Sequence, residues 1–350
     1  YLSRVYEHVR TNGIKALIFR YATRLPFVAG KVAAEEQKMF KEFYDKYQKE
    51  RQATAIKVLP AKGIPDDQLL KRLTKGADDC RKCYSNGGHV SGAVYIADDK
   101  HWDFVNKVSN MYAVTNPLHM EEFKSVTQME AEIIRIVANL YNGDQNSCGI
   151  CTSGGTESII LACLAYREKA LAERGVTKPN MVMSETAHAA FDKAAFYFNI
   201  ELRKVPVTKN ALTDVRAMKK QIDRNTIMLV ASAPEYPYGN FDPVTEIAAI
   251  AQSWGIGCHT DACLGSFTNA FAEKAGYKLP YLFDFRVPGV TSISCDPHKY
   301  AYGPKGCSLL LFREKRLREY QFFVSTDWNG GIYATTCIAG SRPGNIIAGT

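Results

Sequence analysis

Residues 290–312 read VTSISCDPHKYAYGPKGCSLLLF, and the architecture follows from how this stretch begins and ends. The β-branched, apolar run VTSIS (290–294) predicts a buried strand. Lys299 therefore sits just past the strand's C-terminal end, the edge at which α/β sheets keep their chemistry. CSLLLF (307–312) predicts a second strand, and the twelve residues between the two are too few for a helical crossover, so the pair reads as an antiparallel hairpin. An ordinary lysine, with a pKa near about 10.4, is about 4 kcal/mol from being a free amine at neutral pH. Desolvation, or condensation with an aldehyde, removes that handicap. Asp296, Pro297 and His298 on one side and Lys305 on the other make an unusually polar cluster for the end of a buried strand. Unaided, a lysine after a strand is a solvated loop residue, so the reading depends on the rest of the chain.

Further apolar runs lie upstream at 181–184 (MVMS), 203–207 (RKVPV), 227–233 (IMLVASA) and 256–262 (IGCHTDA). Helical patterns fall between most of them, at 157–173, 187–198, 213–224 and 244–254, after an earlier helix over about 126–141. Strands alternating with helices of this length predict a mostly parallel sheet with helices on both faces. Nearer the start, helical patterns over 40–51 and 66–83 are joined by KVLPAKGIPDD (57–67), and the second ends in Asn86-Gly87-Gly88. Residues 91–123, rich in aromatic and polar side chains, read as irregular, and irregular stretches of this length are commonly functional.

Three more sites fall at the ends of these elements. CTSGGTES (151–158) is a Gly-Gly turn opening a long helix, where free backbone N–H groups and the helix dipole suit a phosphate; helix capping alone is the plainer reading. It has neither the GxGxxG nor the GxxxxGK[ST] spacing of nucleotide loops. HTDACLGS (259–266) places Asp261 at the end of an apolar strand, two residues after His259. A carboxylate there is costly unless paired, and a protonated pyridine nitrogen would be one partner, a helix N-cap another. SETAHAAFDKAA (184–195) puts His188 at the start of an apolar helix, as a structural ring or as a cover for a flat cofactor.

The chain has 350 residues, 46% of them hydrophobic, enough for one large domain or two ordinary ones. Ten scattered cysteines without framework spacing suggest reduced thiols in a cytosol-facing protein. The pairs Cys80/Cys83 and Cys148/Cys151 are too far apart to predict a structural zinc site, and no metal is expected. No run is long enough to span a bilayer, and no cleavable signal opens the chain. Residues 1–62 carry 13 Lys or Arg against 6 Asp or Glu, a net +7 of the chain's +8. Without a groove-reading motif this excess does not predict nucleic-acid binding. It suits an anionic membrane face or packing on a partner subunit.

Taken together the four sites supply a phosphate cradle, a neighbour for a flat ring, an acid for a ring nitrogen and an amine for an aldehyde, a set that describes pyridoxal 5′-phosphate (PLP). Their order resembles the fold-type I PLP enzymes of the group II decarboxylase-like family. Within it the chain is most similar to the sphingosine-1-phosphate lyases. The resembling text includes SGAVY (91–95), NPLH (116–119), SCGICTSGGTES (147–158), RNTIMLV (224–230), FDFRVPGVTSISCDPHKYAYGPKG (283–306) and QFFVSTDWNGGIYATTCIAGSRPG (321–344). The resemblance implies an α/β fold of the PLP-dependent transferase type with a mostly parallel, seven-stranded sheet. It divides the chain into a basic helical arm (1–62), a segment contributing to the substrate site (63–125) and a large PLP-binding domain (126–350). It implies that Lys299 condenses with the cofactor aldehyde, Asp261 pairs with the ring nitrogen and His188 stacks on the ring. Gly155, Thr156 and His298 would hold the cofactor phosphate, with His259 also near the cofactor. Tyr95, His119 and Lys305 would form a site for a substrate phosphate, and Asn116 and Tyr333 would line the active site.

The activity implied is retro-aldol cleavage of the C2–C3 bond of a phosphorylated sphingoid base, giving a long-chain aldehyde and phosphoethanolamine. A homodimer is implied as well. Location would be at the endoplasmic reticulum membrane through an anchor outside this sequence, or free in the cytosol. The small C-terminal domain of the family would begin where this sequence stops. Two rivals remain: a PLP amino-acid decarboxylase, favoured by the CDPHK form around Pro297, and an inactive membrane-surface binding protein.

Overall fold

The computed structural model describes residues 26–52, 56–85, 89–90 and 92–350, so the first part of the basic arm and the Asn86-Gly87-Gly88 turn lie outside the described residues. The chain divides at Val90/Ser91 into two units. The first holds α1 (Pro26–Gln52) and α2 (Asp66–Arg81). α1 is twice the length expected, because its pattern of alanines, lysines and glutamates is helix-forming from a proline at its first position onward. Asp66 and Asp67 sit in the first turn of α2 and Arg81 in its last, each complementing the helix dipole.

The second unit opens with α3 (Asp99–Met111) and α4 (Lys124–Leu140). α3 corrects the expectation of an irregular segment. Asp98 caps it by accepting the His101 N–H at 2.7 Å, and Trp102, Val105 and Val108 turn inward at three-residue spacing. Its charged and aromatic composition hid a helical period. After it come β1 (Cys148–Thr152), α5 (Gly155–Arg174), β2 (Asn180–Ser184), α6 (Ala190–Phe198), β3 (Glu201–Val205), α7 (Val215–Lys220), β4 (Thr226–Ser232) and α8 (Val244–Ser253). The chain ends through β5 (Gly257–Asp261), α9 (Ser266–Ala272), β6 (Ser292–Cys295), β7 (Ser308–Phe312), α10 (Lys315–Glu319), a small hairpin of β8 (Phe323–Ser325) and β9 (Tyr333–Thr335), and α11 (Gly344–Gly349).

Seven strands form one sheet in the order β1-β7-β6-β5-β4-β2-β3. β7 is antiparallel to both of its neighbours and the other pairs are parallel. The expected hairpin of β6 and β7 is therefore present. β1 is the strand that periodicity missed, since CGICT looks like part of a glycine turn. Gly149 is required there because a Cβ would come within 2.6 Å of the Leu310 carbonyl on β7. One face of the sheet is packed by Val137, Met218, Val244 and Ile247 from α4, α7 and α8. The other is packed by Ile159, Leu161, Ala162 and Phe191 from α5 and α6. With β7 the reversed strand, β1, β2, β4, β5 and β6 all deliver their C-terminal ends to the same edge.

Candidate active site

That edge gathers several of the residues singled out by sequence and adds others. β1 leads into the Ser153–Thr156 turn, β2 into His188, β4 into Glu235 and Tyr236, β5 ends on Asp261, and β6 runs into Asp296, His298 and Lys299. They line a cleft of about 390 Å³ bounded by Gly155, Thr156, His188, Asp261, His298 and Lys299. A neighbouring space of about 230 Å³ shares His188, Asp261 and Lys299 and adds Tyr95, Glu235 and Tyr236.

Lys299 Nζ lies 2.9 Å from Asp296 Oδ2, and His298 Nε2 lies 3.6 Å from the same oxygen. Burial acts to lower the lysine's pKa, but Asp296, with smaller help from Cys263 and Asp261, outweighs it and leaves the amine above its usual value. The ring of His298 is pushed down by burial, against the opposing pull of Asp296. Asp296 Oδ1 is buried without a hydrogen-bond partner. Asp261 Oδ1 accepts from the Cys263 N–H at 3.1 Å and from Ser294 Oγ at 3.3 Å, which leaves Oδ2 free of bonds from the described residues. His188 is tethered by its Nδ1, which accepts the Ala190 N–H at 3.0 Å.

These features fit a phosphorylated pyridine aldehyde. α5, twenty residues long, starts at Gly154 without a side-chain cap, so its first N–H groups are available to an anion. Gly155 has no room for a side chain, since a Cβ would stand 2.9 Å from Asp296 Oδ2 and 3.0 Å from Cys263 Sγ. Asp296 keeps one buried oxygen without a partner, and Asp261 lines the cleft with Oδ2 unengaged by the described residues, as a site built for a polar guest would.

The proposed phosphate site for a substrate is only partly assembled. Lys305 Nζ stands over the Tyr95 ring at 4.5 Å and donates to the His298 carbonyl at 3.2 Å. Burial and the neighbouring Lys299 both lower its pKa. Tyr95 is buried, donates to the Gly92 carbonyl at 3.1 Å, and meets Tyr300 edge-on. His119, by contrast, is exposed in the turn before α4 and lines neither space. Asn116 acts as a brace: its amide donates to Ser341 Oγ at 3.0 Å, and its carbonyl accepts the Arg342 N–H at 3.1 Å. Tyr333 belongs to the β8–β9 hairpin, packed edge-on against Phe323 and Trp328. His259 is fully buried inside the sheet and lines neither space.

Sequence reasoning gave no role to Asp296, Tyr236, Glu235 or Arg342. Asp296 stood inside the quoted cluster, and its place directly after a buried strand was the available signal. Arg342 forms a two-pronged pair with Glu130 at 2.6 and 2.9 Å and donates to the Cys151 carbonyl, while Glu130 accepts the Cys151 N–H. It thereby ties α4 to the end of β1 just before the Ser153–Thr156 turn. Among the described residues no cluster of His, Cys, Asp or Glu is suited to a metal ion.

The sequence profile of the pyridoxal-dependent decarboxylase conserved domain matches residues 105–329. Sphingosine-1-phosphate lyase 1 of Rattus norvegicus is 46% identical over 339 residues, covering 95% of this chain and 58% of the rat protein. The Saccharomyces cerevisiae sphingosine-1-phosphate lyase is 42% identical over 349 residues, covering 99% of this chain and 58% of the yeast protein. A solved structure of the Burkholderia pseudomallei sphingosine-1-phosphate lyase superposes with a TM-score of 0.82 at 39% identity, covering 84% of this chain and 69% of that one. The chain thus spans less than two thirds of the curated relatives' length.

Proposed function

This chain belongs to the pyridoxal-dependent decarboxylase family, in its sphingosine-1-phosphate lyase branch, and we propose that it cleaves the C2–C3 bond of sphingosine 1-phosphate and related phosphorylated long-chain bases. The products are a long-chain aldehyde and phosphoethanolamine. Pyridoxal 5′-phosphate, when bound, supplies an electron sink for the carbon that carries the substrate amine. Lys299 holds the cofactor's aldehyde carbon, Gly155, Thr156 and His298 hold its phosphate, and His188 covers the ring. Asp261, through Oδ2, holds a proton on the ring nitrogen.

Tyr95, which lines the second space, and Lys305, which stands over its ring but lines neither space, position the substrate in this reading. Lys305 would meet its phosphate as a cation, and the Tyr95 hydroxyl, which here donates to the Gly92 carbonyl, would turn its one proton to the same phosphate. The Tyr236 side chain closes the same space, near enough to Gly92 that a Cβ there would lie 3.5 Å from its hydroxyl. The observation that carries the lyase reading over an amino-acid decarboxylase is Lys305 stacked on Tyr95 beside Lys299, since a decarboxylase has no second phosphate to hold.

The same proposal includes a homodimer and a membrane-surface contact through the arm. Exposed Phe27, Met39, Phe40 and Tyr44 lie along α1 among six Lys or Arg and five Asp or Glu, and these apolar side chains are what a membrane-surface contact would bury. No described helix is long and apolar enough to cross a membrane. The test is to incubate the PLP-loaded chain with sphingosine 1-phosphate and, separately, with amino acids, and to assay aldehyde, phosphoethanolamine and carbon dioxide. Aldehyde with phosphoethanolamine supports the lyase. Carbon dioxide from an amino acid, with no aldehyde, sinks it in favour of the decarboxylase.

A further inference from the structure

His259 does not reach the cleft, yet it stands in an unbroken run of hydrogen bonds that does. β5 and β6 are parallel, with His259 opposite Ser292 and Asp261 opposite Ser294, so these four side chains share one face of the sheet. Tyr166 of α5 lies across the start of β5, where a Cβ on Gly257 would come within 2.1 Å of its ring. The Tyr166 hydroxyl is 2.6 Å from Ser292 Oγ, and Ser292 Oγ is 2.7 Å from His259 Nδ1. On the other side of the ring, His259 Nε2 is 3.1 Å from Ser294 Oγ, which donates to Asp261 Oδ1 at 3.3 Å. All five residues are buried.

The chemistry of the end group sets the direction of the run. A carboxylate only accepts, so the single Ser294 proton is committed to Asp261, and Ser294 Oγ must then accept from His259 Nε2–H. Burial pushes the His259 pKa down to about 4, against the weaker opposing pull of Asp261, so the ring carries one proton. Nδ1 is then bare and accepts from Ser292, which in turn accepts from Tyr166. Every donor points toward Asp261. The run starts where Tyr166 and Thr291 border a cavity of about 300 Å³ at the opposite edge of the sheet from Lys299.

We propose that His259 is a positioning residue: as the Nε2–H tautomer it is the central link of a one-way hydrogen-bond chain, Tyr166 to Ser292 to His259 to Ser294 to Asp261, that keeps Asp261 an acceptor facing the cofactor's ring nitrogen. This rests on the reading of Asp261 as the partner of that nitrogen. A proton on Asp261 Oδ1 would reverse the chain, because that O–H would donate to Ser294; the chain as built keeps Oδ1 an acceptor and leaves Oδ2 to the ring nitrogen. Protonated at Oδ1, the acid could not take up the positive charge of a protonated ring. Chain direction and the acceptor role of Asp261 Oδ1 are therefore one property, and the His259 tautomer reports it.

The tautomer is measurable in the PLP-loaded full chain labelled with ¹⁵N-histidine. The chain has seven histidines, and His259→Gln assigns the signal. The expected two-bond ¹⁵N–¹H pattern is Nε2–H, unchanged from about pH 5.5 to about pH 9, unlike an ordinary histidine. Ser294→Ala leaves Nε2–H buried without an acceptor, so the proton is expected to move to Nδ1, where Ser292 can accept it. Ser292→Ala is expected to leave it on Nε2. Ser294→Ala should also weaken PLP binding about tenfold, the effect of losing one hydrogen bond to a charged group, with Ser294→Thr restoring it. An Nδ1–H tautomer in the unsubstituted protein, or no change of tautomer in Ser294→Ala, overturns the proposal. Aldehyde release does not enter these readings. A correct tautomer without aldehyde would sink the lyase alone, and the wrong tautomer with aldehyde would sink the chain alone.

Discussion

The sheet edge proposed to hold the cofactor and the residues proposed for a substrate phosphate differ in how they are held. At the edge, five strand ends converge, and each functional side chain lies within a few residues of a hydrogen-bonded strand. Lys299, Asp261, His298 and the Gly155 turn are therefore placed by the sheet itself. The phosphate set draws Tyr95 and His119 from the helices and turns between residues 92 and 123. There Tyr95 is buried against Tyr300 and Lys305, whereas His119 stands in solvent. A sheet fixes what it delivers; a turn fixes only what something else packs against.

The largest expected effect comes at the sheet edge. Lys299→Ala should abolish turnover while circular dichroism and the unfolding midpoint show the fold retained. Residual turnover near that of the unsubstituted enzyme would remove Lys299 from its role. Next is Arg342→Ala, which leaves the Glu130 carboxylate buried and unpaired and should destabilise the fold by about 3–5 kcal/mol in a denaturant titration. Because the pair also grips both backbone groups of Cys151, the variant should release PLP more readily. Unchanged stability would show that the pair is ornamental.

Two substitutions then separate the regions. Lys305→Ala should raise KM for the phosphorylated substrate roughly 10–100-fold, the worth of a charged hydrogen bond, and leave PLP affinity as it was. A fall in PLP affinity with KM unchanged would place Lys305 on the cofactor's phosphate instead. Asp296→Asn removes the carboxylate that raises the Lys299 pKa and leaves burial, which lowers it. The apoprotein should then capture PLP faster at neutral pH, its rate profile displaced to lower pH, as followed by absorbance. The sign also bears on stability. With the folded-state lysine raised, protonated Lys299 contributes stability that is present below the ordinary lysine value while Asp296 is ionised, and that contribution fades as pH climbs through the raised one. A profile displaced to higher pH would contradict the assignment.

What could be read from sequence follows the same division. The strands at 181–184, 227–233, 256–262 and 307–312 were legible because apolar runs bounded by turns carry a local signal, and so were the functional groups just beyond them. β1 was not, because Gly149 answers to the approach of β7, a partner some 160 positions away in sequence. α3 was not, because its inward face is mixed with charge. The Arg342–Glu130 pair and the run through His259 were invisible for a different reason. They are made between elements brought together only by the sheet, and no spacing along the chain announces them.

His119 gives the smallest and sharpest test. It is exposed and lines neither space, so His119→Ala in the setting seen here should change KM by less than about threefold, as a surface substitution does. Its place in the NPLH motif argues for more, because an imidazole beside Lys305 and Tyr95 would add a third donor to a dianionic phosphate. The two expectations separate on concentration. If His119 acts only when a second copy of the chain is present, the His119→Ala defect should be large under conditions where sedimentation shows a dimer and should vanish on dilution. A defect as large as that of Lys305→Ala at every concentration would instead mean that the turn before α4 closes over the substrate within one chain, and that a turn can be as well fixed as a strand end once its ligand is bound.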